Sequence, residues 1–564
     1  MPDSNNKNKR VKYIFVSGGV ISGIGKGITS ASLSLILKSA GYNVSPLKFE
    51  NYLNLDAGTI NPIEHGDTFL CEDGTEADMD IGTYEKFLNE DMGKDNFVTM
   101  GNIYSTVIDK ERRFEYDGED VEAIPHITDE ITRRIKSLAE KKDADIVIIE
   151  LGGTAGEYQN VFYYEASRIM KLQNPGDVIH VNVSYVPTPA HLGEPKTKPT
   201  QLSVRTLNSL GIQPDFIICR SEKFLDQRRR DRLALFCNVS PEKVISSPDL
   251  PSVYQVPLIL QEQGLGKKIL ESLNLPVHES NLSDWKKFVE KVKAVKEKKD
   301  HVEVAIIGKY FGTGDYQLRD SYAALFDAID HASYELGVPV KTHWIDAQKA
   351  EDNADLEKLI GNPDGIIVPI GWGLRGAEGM IKTAGYARDK KIPYLGLCYG
   401  MQLAVISYAR DVLGITEANT EENDEKGSNL VIHLMPKQKE IMERRAYGGT
   451  MRLGSWQATV KSGTKAYGLY DKYDDFIDKS KGLTSERHRH RFEFNNDYLE
   501  KFEEKGFVIS ARSVEEGLVE IIELPSSQHP FYMGTQGHPE YKSRPLRPHP
   551  LFLGFIDAVS RLKK

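Results

Sequence analysis

The stretch FVSGGVISGIGKGITSAS, residues 15–32, decides the fold of the first half of the chain. An apolar run enters a turn rich in glycine and leaves it as a helical pattern, SASLSLILKSAG (30–41), that ends at Gly41. Glycines let backbone N–H groups turn toward an anion, and the helix N-terminus adds its dipole, so the segment reads as a phosphate cradle with Lys26 reaching the phosphates. The spacing departs from G-x-x-x-x-G-K-[ST]. Gly19 to Gly25 is one residue longer, and Gly27 stands where a hydroxyl usually holds Mg²⁺. The cation then needs carboxylates from elsewhere, because Mg²⁺ prefers hard oxygens. Two candidates are Asp80, in EADMDIGTYEKF (76–87), and Glu150, which ends the strand-like DIVIIE (145–150). A carboxylate at the C-terminal end of a parallel strand points at the ligand crevice of such a sheet. GEPKTKPTQLSV (193–204) is either a Lys/Pro surface loop or, through Lys196 and Lys198, a second phosphate contact.

Outward from that stretch, YIFVS (13–17), ADIVIIEL (144–151), DVIHVNV (177–183) and DFIICR (215–220) are short apolar runs expected to form buried parallel strands between helices. In SDWKKFVEKVKAVKEKKD (283–300), Trp285, Phe288, Val289, Val292 and Val295 recur at helical spacing among lysines, which predicts an amphipathic helix and a charged connector. A new α/β pattern begins at EVAIIGKY (303–310) and continues through DGIIVPIG (364–371), IPYLGLC (392–398) and FYMGTQGHPE (531–540). The expected class is therefore α/β with a P-loop-like parallel-sheet domain over residues 1–282, a linker helix and connector over 283–301, and a second α/β domain over 302–564. The acidic EANTEENDEKGSN (417–429) is expected to be a surface loop.

Composition narrows the function classes. The 564 residues are 40% hydrophobic and 27% charged, as in ordinary globular protein, with 72 Lys+Arg against 82 Asp+Glu and a net charge of −10. That balance argues against a general nucleic-acid binder. The opening MPDSNNKNKR lacks the apolar core of a signal peptide, and no apolar run is long enough for a bilayer. Cys71, Cys219, Cys237 and Cys398 fall in no disulfide-like or zinc-like spacing. A soluble protein of a reducing, cytoplasm-like compartment is the expectation.

The second motif is GLCYG (396–400), a G-x-C-x-G after a strand, with the shape of a nucleophile elbow. The Tyr399 N–H is placed to meet an oxyanion. A thiol nucleophile needs a base and a group to orient that base. QGHPEY (536–541) supplies His538 and Glu540, which would share a face on an extended segment. Hydrolysis of a carboxamide through a thioester fits this equipment. ERHRHRFEF (486–494) reads either as a basic patch for nucleic acid or, in an acidic chain, as a grip on a substrate carboxylate.

Together the two ends resemble the glutamine-dependent CTP synthase family. The likeness covers nearly the whole chain and rests on FVSGGVISGIGKG, DGTEADMDIGTYEKF, IPHIT, GGTAGE, KTKPTQ, PDFIICRS, LALFCNV, GLCYGMQLAVI, GGTMRLG, ERHRHRFEFN and QGHPEY. It implies an N-terminal synthetase (amidoligase) domain and a C-terminal class I glutamine amidotransferase domain. It further implies that ATP would phosphorylate O4 of UTP and that ammonia from glutamine would displace the phosphate at C4. The resemblance places Gly23, Ile24, Gly25, Lys26, Gly27, Ile28 and Lys48 at the ATP phosphates and Pro248, Asp249 and Leu250 beside the adenine. It places Asp80 and Glu150 on Mg²⁺. UTP, and CTP as a feedback inhibitor, would meet Ser22, Lys196, Thr197, Lys198, Pro199, Thr200, Gln201 and Arg232, with the CTP base near Glu157, Tyr158 and Gln159. Cys398, His538 and Glu540 would be the triad, and Gly371, Tyr399, Gly400, Met401, Gln402, Glu422 and Arg491 would position glutamine. GTP as activator, a homotetramer and filaments are implied too, and free ammonia would need an enclosed path.

The sequence departs from the family pattern at a few positions. Ile370 replaces a glycine, so a different oxyanion loop is expected, because a β-branched residue disfavours positive φ. Arg232 replaces a lysine, keeping charge and changing geometry. Glu157 and Gln159 stand where Asp and Glu are common, and the loop carrying Glu422 is altered. Two other readings use the same residues: an ATP-dependent amidotransferase acting on a corrinoid precursor, against which KTKPTQ and ERHRHRFEF argue, and a filament scaffold, against which the intact Cys398, His538, Glu540 and Lys26 argue.

Overall fold

A computed structural model describes residues 10–563 except 314, 315, 354 and 446. The polar opening, residues 1–9, lies outside the described residues. The chain divides into two compact units, one of residues 1–56 and 80–289 and the other of residues 57–79 and 290–564. Among the described residues, no helix is long and apolar enough to cross a membrane.

The first unit is built on strands β1 (Lys12–Gly19), β2 (Val44–Glu50), β3 (Phe97–Thr99), β4 (Ile146–Leu151), β5 (Val178–Tyr185), β6 (Phe216–Ser221) and β7 (Val244–Pro248). They form one parallel sheet in the order β3-β2-β4-β1-β5-β6-β7. The runs of Ile and Val are buried along their whole length, as in Ile146–Leu151, because helices cover both faces. The chain winds to one side of β1 and then, from β5, to the other. The carboxyl end of β1 is therefore a crevice, and the glycine turn lies there before helix α1 (Lys26–Ser39). Gly25 at the N-cap and Gly41 beyond the C-terminus both have φ near +90°, which only glycine adopts without strain.

The second unit has strands β8 (Val302–Gly308), β9 (Val340–Asp346), β10 (Gly365–Val368), β11 (Tyr394–Leu397), β12 (Arg452–Val460), β13 (Leu483–His490), β14 (Val508–Ser513), β15 (Val519–Glu523) and β16 (Tyr532–Thr535). The sheet order is β9-β8-β10-β11-β16-β15-β14-β12-β13. The first five strands are parallel and the rest antiparallel. The acidic 417–429 stretch is more than a surface loop. Asn419–Thr420 joins Leu430–Leu434 and Phe492–Phe494 in a small sheet.

Against the expected domains over 1–282 and 302–564 with a linker over 283–301, the compact units divide the chain differently. Residues 57–79, early in the sequence, pack with the second unit. Their hairpin, Thr68–Leu70 with Glu76–Asp78, carries anchors for two buried arginines of β13. Arg487 donates to Glu72 Oε2 (3.0 Å) and to the Leu70 carbonyl (2.9 Å). Arg489 donates to Glu76 Oε1 (2.6 Å) and the Gly58 carbonyl (3.0 Å). A buried guanidinium without a carboxylate is costly, so the hairpin follows its charges rather than its neighbours in sequence.

The last division falls at Val289/Glu290, inside helix α2 (Ser283–Glu297). All five apolar positions predicted for that helix are buried. Trp285 packs against Phe87, Tyr254 and Phe288 and donates Nε1–H to the Tyr254 carbonyl at 2.8 Å. Trp285→Ala is expected to cost ~3–5 kcal/mol through a cavity in the first unit. Thermal denaturation followed at a probe in that unit checks this, and an unchanged midpoint would refute it.

Candidate active sites

The thiol sits where β11 turns into helix α3 (Tyr399–Asp411). Cys398 has φ +49° and ψ −100°, a strained conformation for a residue with a β-carbon. The surrounding glycines are required by contact. A β-carbon at Gly400 would lie 1.9 Å from the Val368 carbonyl oxygen, and one at Gly396 2.8 Å from the Gly400 backbone. The Cys398 N–H is fixed to the Thr535 carbonyl at 2.7 Å, which ties the elbow to β16 and so to the histidine segment beyond it.

His538 Nδ1 bonds Glu540 Oε1 at 2.7 Å, with both residues buried. The pairing does not use an extended segment. Pro539–Tyr541 is a short 3-10 turn, and it is this turn that brings the carboxylate back to the ring. Nε2 has no protein hydrogen bond of ordinary geometry and is left for the sulfur. Burial would lower the imidazole pKa, but the Glu540 carboxylate and Cys398 overcome it and push it up to about 10.

A cavity of about 540 Å³ in the second unit is lined by Trp372, Glu422, Tyr447, Arg491 and Phe492 among others. Arg491 donates to Gln438 Oε1, to the Tyr447 carbonyl (2.7 Å) and to Thr450 Oγ1 (3.0 Å). Glu422 accepts the Gly373 N–H at 2.7 Å, and burial raises its pKa. Arg491 and Glu422, on a lining that also carries Lys439, Glu421, Glu425 and Glu443, offer the two signs of charge of a free amino acid. Lys309 holds the loop from below, donating to the carbonyls of Trp372 (3.0 Å) and Gly373 and lying 4.4 Å from the Tyr399 ring centroid. Gly371 rests on the Lys309 stem, 3.0 Å from where its β-carbon would be. Ile370 is not left-handed, and its carbonyl accepts the Tyr322 hydroxyl at 3.1 Å, so the loop accommodates the branched residue without backbone strain. The side chains of Tyr399, Met401 and Gln402 turn inward. Tyr399 OH donates to the Gly373 carbonyl (3.0 Å), Met401 is in the core, and Gln402 bonds the Phe492 carbonyl (2.7 Å) and Gln536 (3.1 Å). What this segment offers a ligand is backbone.

The arginine-rich strand is mostly spoken for. Arg487 and Arg489 grip the chain's own Glu72 and Glu76, and of the three arginines Arg491 alone lines the cavity. The expectation of a substrate grip is thereby reduced to one residue. The strand's alternation sends Arg487 and Arg489 to one face and His488 and His490, which meet Arg452, to the other.

In the first unit, Lys48 is enclosed by three carboxylates: Asp80 Oδ2 at 2.5 Å, Glu150 Oε1 at 2.8 Å and Glu50 Oε1 at 2.9 Å. Tyr84 OH donates to the other oxygen of Glu150. Burial opposes the Lys48 charge, but the carboxylates win and raise its pKa well above normal. Gly27 explains the missing hydroxyl. Its β-carbon would lie 2.1 Å from Asp80 Oδ1, so Asp80 takes the space of the usual side chain. Asp80 and Glu150 converge on the Lys48 ammonium, and as hard-oxygen donors they are of the kind that fits Mg²⁺. Lys26 lays its stem on Gly18 and donates to the Gly153 carbonyl at 2.6 Å, and its pKa is lowered by burial and by Lys48.

Around that cluster, Gly23 (φ +67°) and Val20 (φ +88°) shape the turn, Ile24 is buried and Ile28 partly so, and Ser22 is exposed. Arg220 joins the turn to Pro248–Leu250. It donates to the Pro248 carbonyl (3.0 Å) and Asp249 Oδ1 (2.9 Å), and its side chain passes 3.8 Å from where a Gly25 β-carbon would be. Thr197 stands at the N-cap position of the helix Lys198–Ser209 without a side-chain cap bond, Pro199 fills the first turn, and Thr200 donates to the Tyr185 carbonyl (3.1 Å). Gln201 donates to Thr197 Oγ1 (3.1 Å), leaving its own Oε1 buried and unpartnered. Lys198 and Arg232 both lie 5.6 Å from the Phe236 ring, while Lys196 is on the surface, paired with Glu194. The Glu157 carboxylate is engaged by Thr154 (2.7 Å) and Asn51 (2.9 Å), and Tyr158 and Gln159 are exposed. Sequence reasoning missed Glu50, Tyr84, Arg220, Lys309 and Gln536. Arg220 lay within a quoted motif, and Glu50 ends a strand at Lys48+2, which was the available signal.

Residues 12–275 match the family described as CTP synthase N-terminus, and residues 317–558 match Glutamine amidotransferase class-I. A CTP synthase of Caldanaerobacter subterraneus subsp. tengcongensis is 48% identical over 98% of this chain and 99% of its own. One of Pyrococcus furiosus is 47% identical over 98% of both, and one of Prochlorococcus marinus is 44% identical over 97% of this chain and 95% of its own. The chain belongs to the CTP synthase family.

Proposed function

We propose that this chain converts UTP to CTP, using ATP to activate the pyrimidine and glutamine as the nitrogen source. The observation that carries the reading is the His538–Glu540 pair behind a thiol on a left-handed strand-to-helix turn. The Cys398 thiolate attacks the carboxamide carbon of glutamine and the His538 imidazolium protonates the departing ammonia, leaving a thioester. His538 then takes a proton from water, which releases glutamate and the thiol. Backbone N–H groups of the Gly371 loop and of Tyr399 receive the oxyanion. Arg491 takes the substrate carboxylate and Glu422 its ammonium.

In the first unit the O4 of UTP attacks the γ-phosphorus of ATP, ADP departs, and ammonia then displaces phosphate at C4. The glycine turn Gly23–Ile28 cradles the triphosphate, and Lys26 and Lys48 neutralise the charge that develops on the transferred group. Asp80 and Glu150 would hold Mg²⁺, which when bound supplies further charge neutralisation at the phosphates. Pro248–Leu250 flanks the adenine, and Ser22, Lys196–Gln201 and Arg232 meet the pyrimidine nucleotide. CTP inhibits through this same region, with its base near Glu157–Gln159. GTP activates, the protein works as a cytoplasmic homotetramer, and tetramers polymerise into filaments.

Cys398→Ala is expected to lower glutamine-driven CTP formation by more than about 10³-fold while sparing the ammonium-driven reaction. Measuring CTP from each nitrogen source checks this, and equal loss of both would sink the division of labour. Arg491→Ala should raise KM for glutamine by roughly 10²-fold, the worth of a charge-assisted contact, with kcat changed less. A change confined to kcat would remove Arg491 from the carboxylate. Asp80→Asn should abolish synthesis from either source, whereas retained ammonium-driven activity would remove Asp80 from the metal.

A further inference from the structure

One buried polar side chain touches the nucleophile and has no part in the triad. Gln536 is 1% exposed, and its Nε2 lies 3.5 Å from Cys398 Sγ, within hydrogen-bond range for sulfur. Which end of an amide faces a sulfur is ordinarily ambiguous, but here it is fixed by a chain of bonds. The Phe492 carbonyl can only accept, so the group that Gln402 presents to it at 2.7 Å must be its NH₂. The same Gln402 NH₂ lies 3.1 Å from the Gln536 amide, which must therefore present its oxygen. The NH₂ of Gln536 is then left for the sulfur. The Gln536 N–H donates to the Glu520 carbonyl at 2.8 Å, which pins the backbone as well.

A donor aimed at sulfur distinguishes the two protonation states. A neutral thiol is a weak acceptor and a thiolate a strong one, and charge-assisted hydrogen bonds are about twice as strong as neutral ones. Being uncharged, the amide neither competes with His538 for the proton nor adds a buried charge. We infer that Gln536 is a positioning residue that holds the Cys398 sulfur as a thiolate through its Nε2–H, with Gln402 and the Phe492 carbonyl fixing the direction of that bond. The inference rests on the reading of Cys398 as nucleophile. The ionisable neighbours of the sulfur are His538, with Glu540 behind it, and Tyr541, which stands among Asp67, Glu540 and Arg489.

The rate of alkylation of Cys398 by iodoacetamide against pH, read by peptide mass spectrometry, tests the inference without using turnover. Cys71, Cys219 and Cys237 are buried, as is Cys398, and the four are read as separate peptides. Gln536→Met keeps the volume and removes the donor. Its alkylation midpoint is expected to rise by about one pH unit, with about a tenfold slower rate on the acid side, the size of one lost charge-assisted bond. Gln536→Glu, nearly isosteric, is expected to raise the midpoint further. Gln402→Met, which frees the amide to rotate, is expected to give a smaller rise. In any of these variants that melts near the wild-type temperature, an unmoved midpoint overturns the inference. If all three fail to melt as wild type, the amide chain is serving the fold and the inference is also overturned. Failure of the underlying reading looks different: Cys398→Ala would then retain glutamine hydrolysis whatever the alkylation profile shows.

Discussion

The closeness of Gly400 to the Val368 carbonyl governs the second unit. With 1.9 Å between that oxygen and any β-carbon, the first turn of the helix after β11 can press against β10 only with glycine at its second position. That contact forces the backbone to reverse at Cys398, and the reversal costs strain of order 1–3 kcal/mol that the surrounding sheet must hold. In return the sulfur leaves the sheet at one defined point, next to the strand that delivers His538. The thiol, the base and the orienting carboxylate are thus set by backbone before any side chain chooses a rotamer.

The first unit solves a related problem by exchange. A glycine at position 27 gives up the usual hydroxyl and so opens the volume into which Asp80 projects. Lys48 then collects Asp80, Glu150 and Glu50, and the crevice gains a strong negative cluster beside two lysines. The cluster has nearly balanced charge in the protein alone, which is how carboxylates buried as deeply as Glu150 are tolerated. Arriving phosphates and a cation would re-partition those pairs rather than create new buried charge.

Much of this was legible in the residues. Parallel strands announce themselves as unbroken Ile/Val runs, and glycine turns at 18–27 and 396–400 announce the two sites, because both depend on local spacing. The long-range arrangements were not legible. The basic stretch 486–494 reads as one patch, yet a strand throws alternate residues to opposite faces, and the partners of Arg487 and Arg489 lie more than four hundred positions away. The His538–Glu540 pair was found for the wrong local reason, since two residues meet across a turn as readily as along a strand face. Ile370 looked like an obstacle, but residue type limits a backbone only where φ is positive, and there it is not.

The wandering hairpin has a consequence for how this polypeptide can be taken apart. The covalent chain passes from one unit to the other at 56/57, 79/80 and 289/290, so a single cleavage at the last of these leaves the halves joined. A gene fragment opening at residue 290 would also bring two guanidinium groups into its interior without the acids that neutralise them. An excision that keeps those neutralising acids would have to carry residues 57–79 along as a graft.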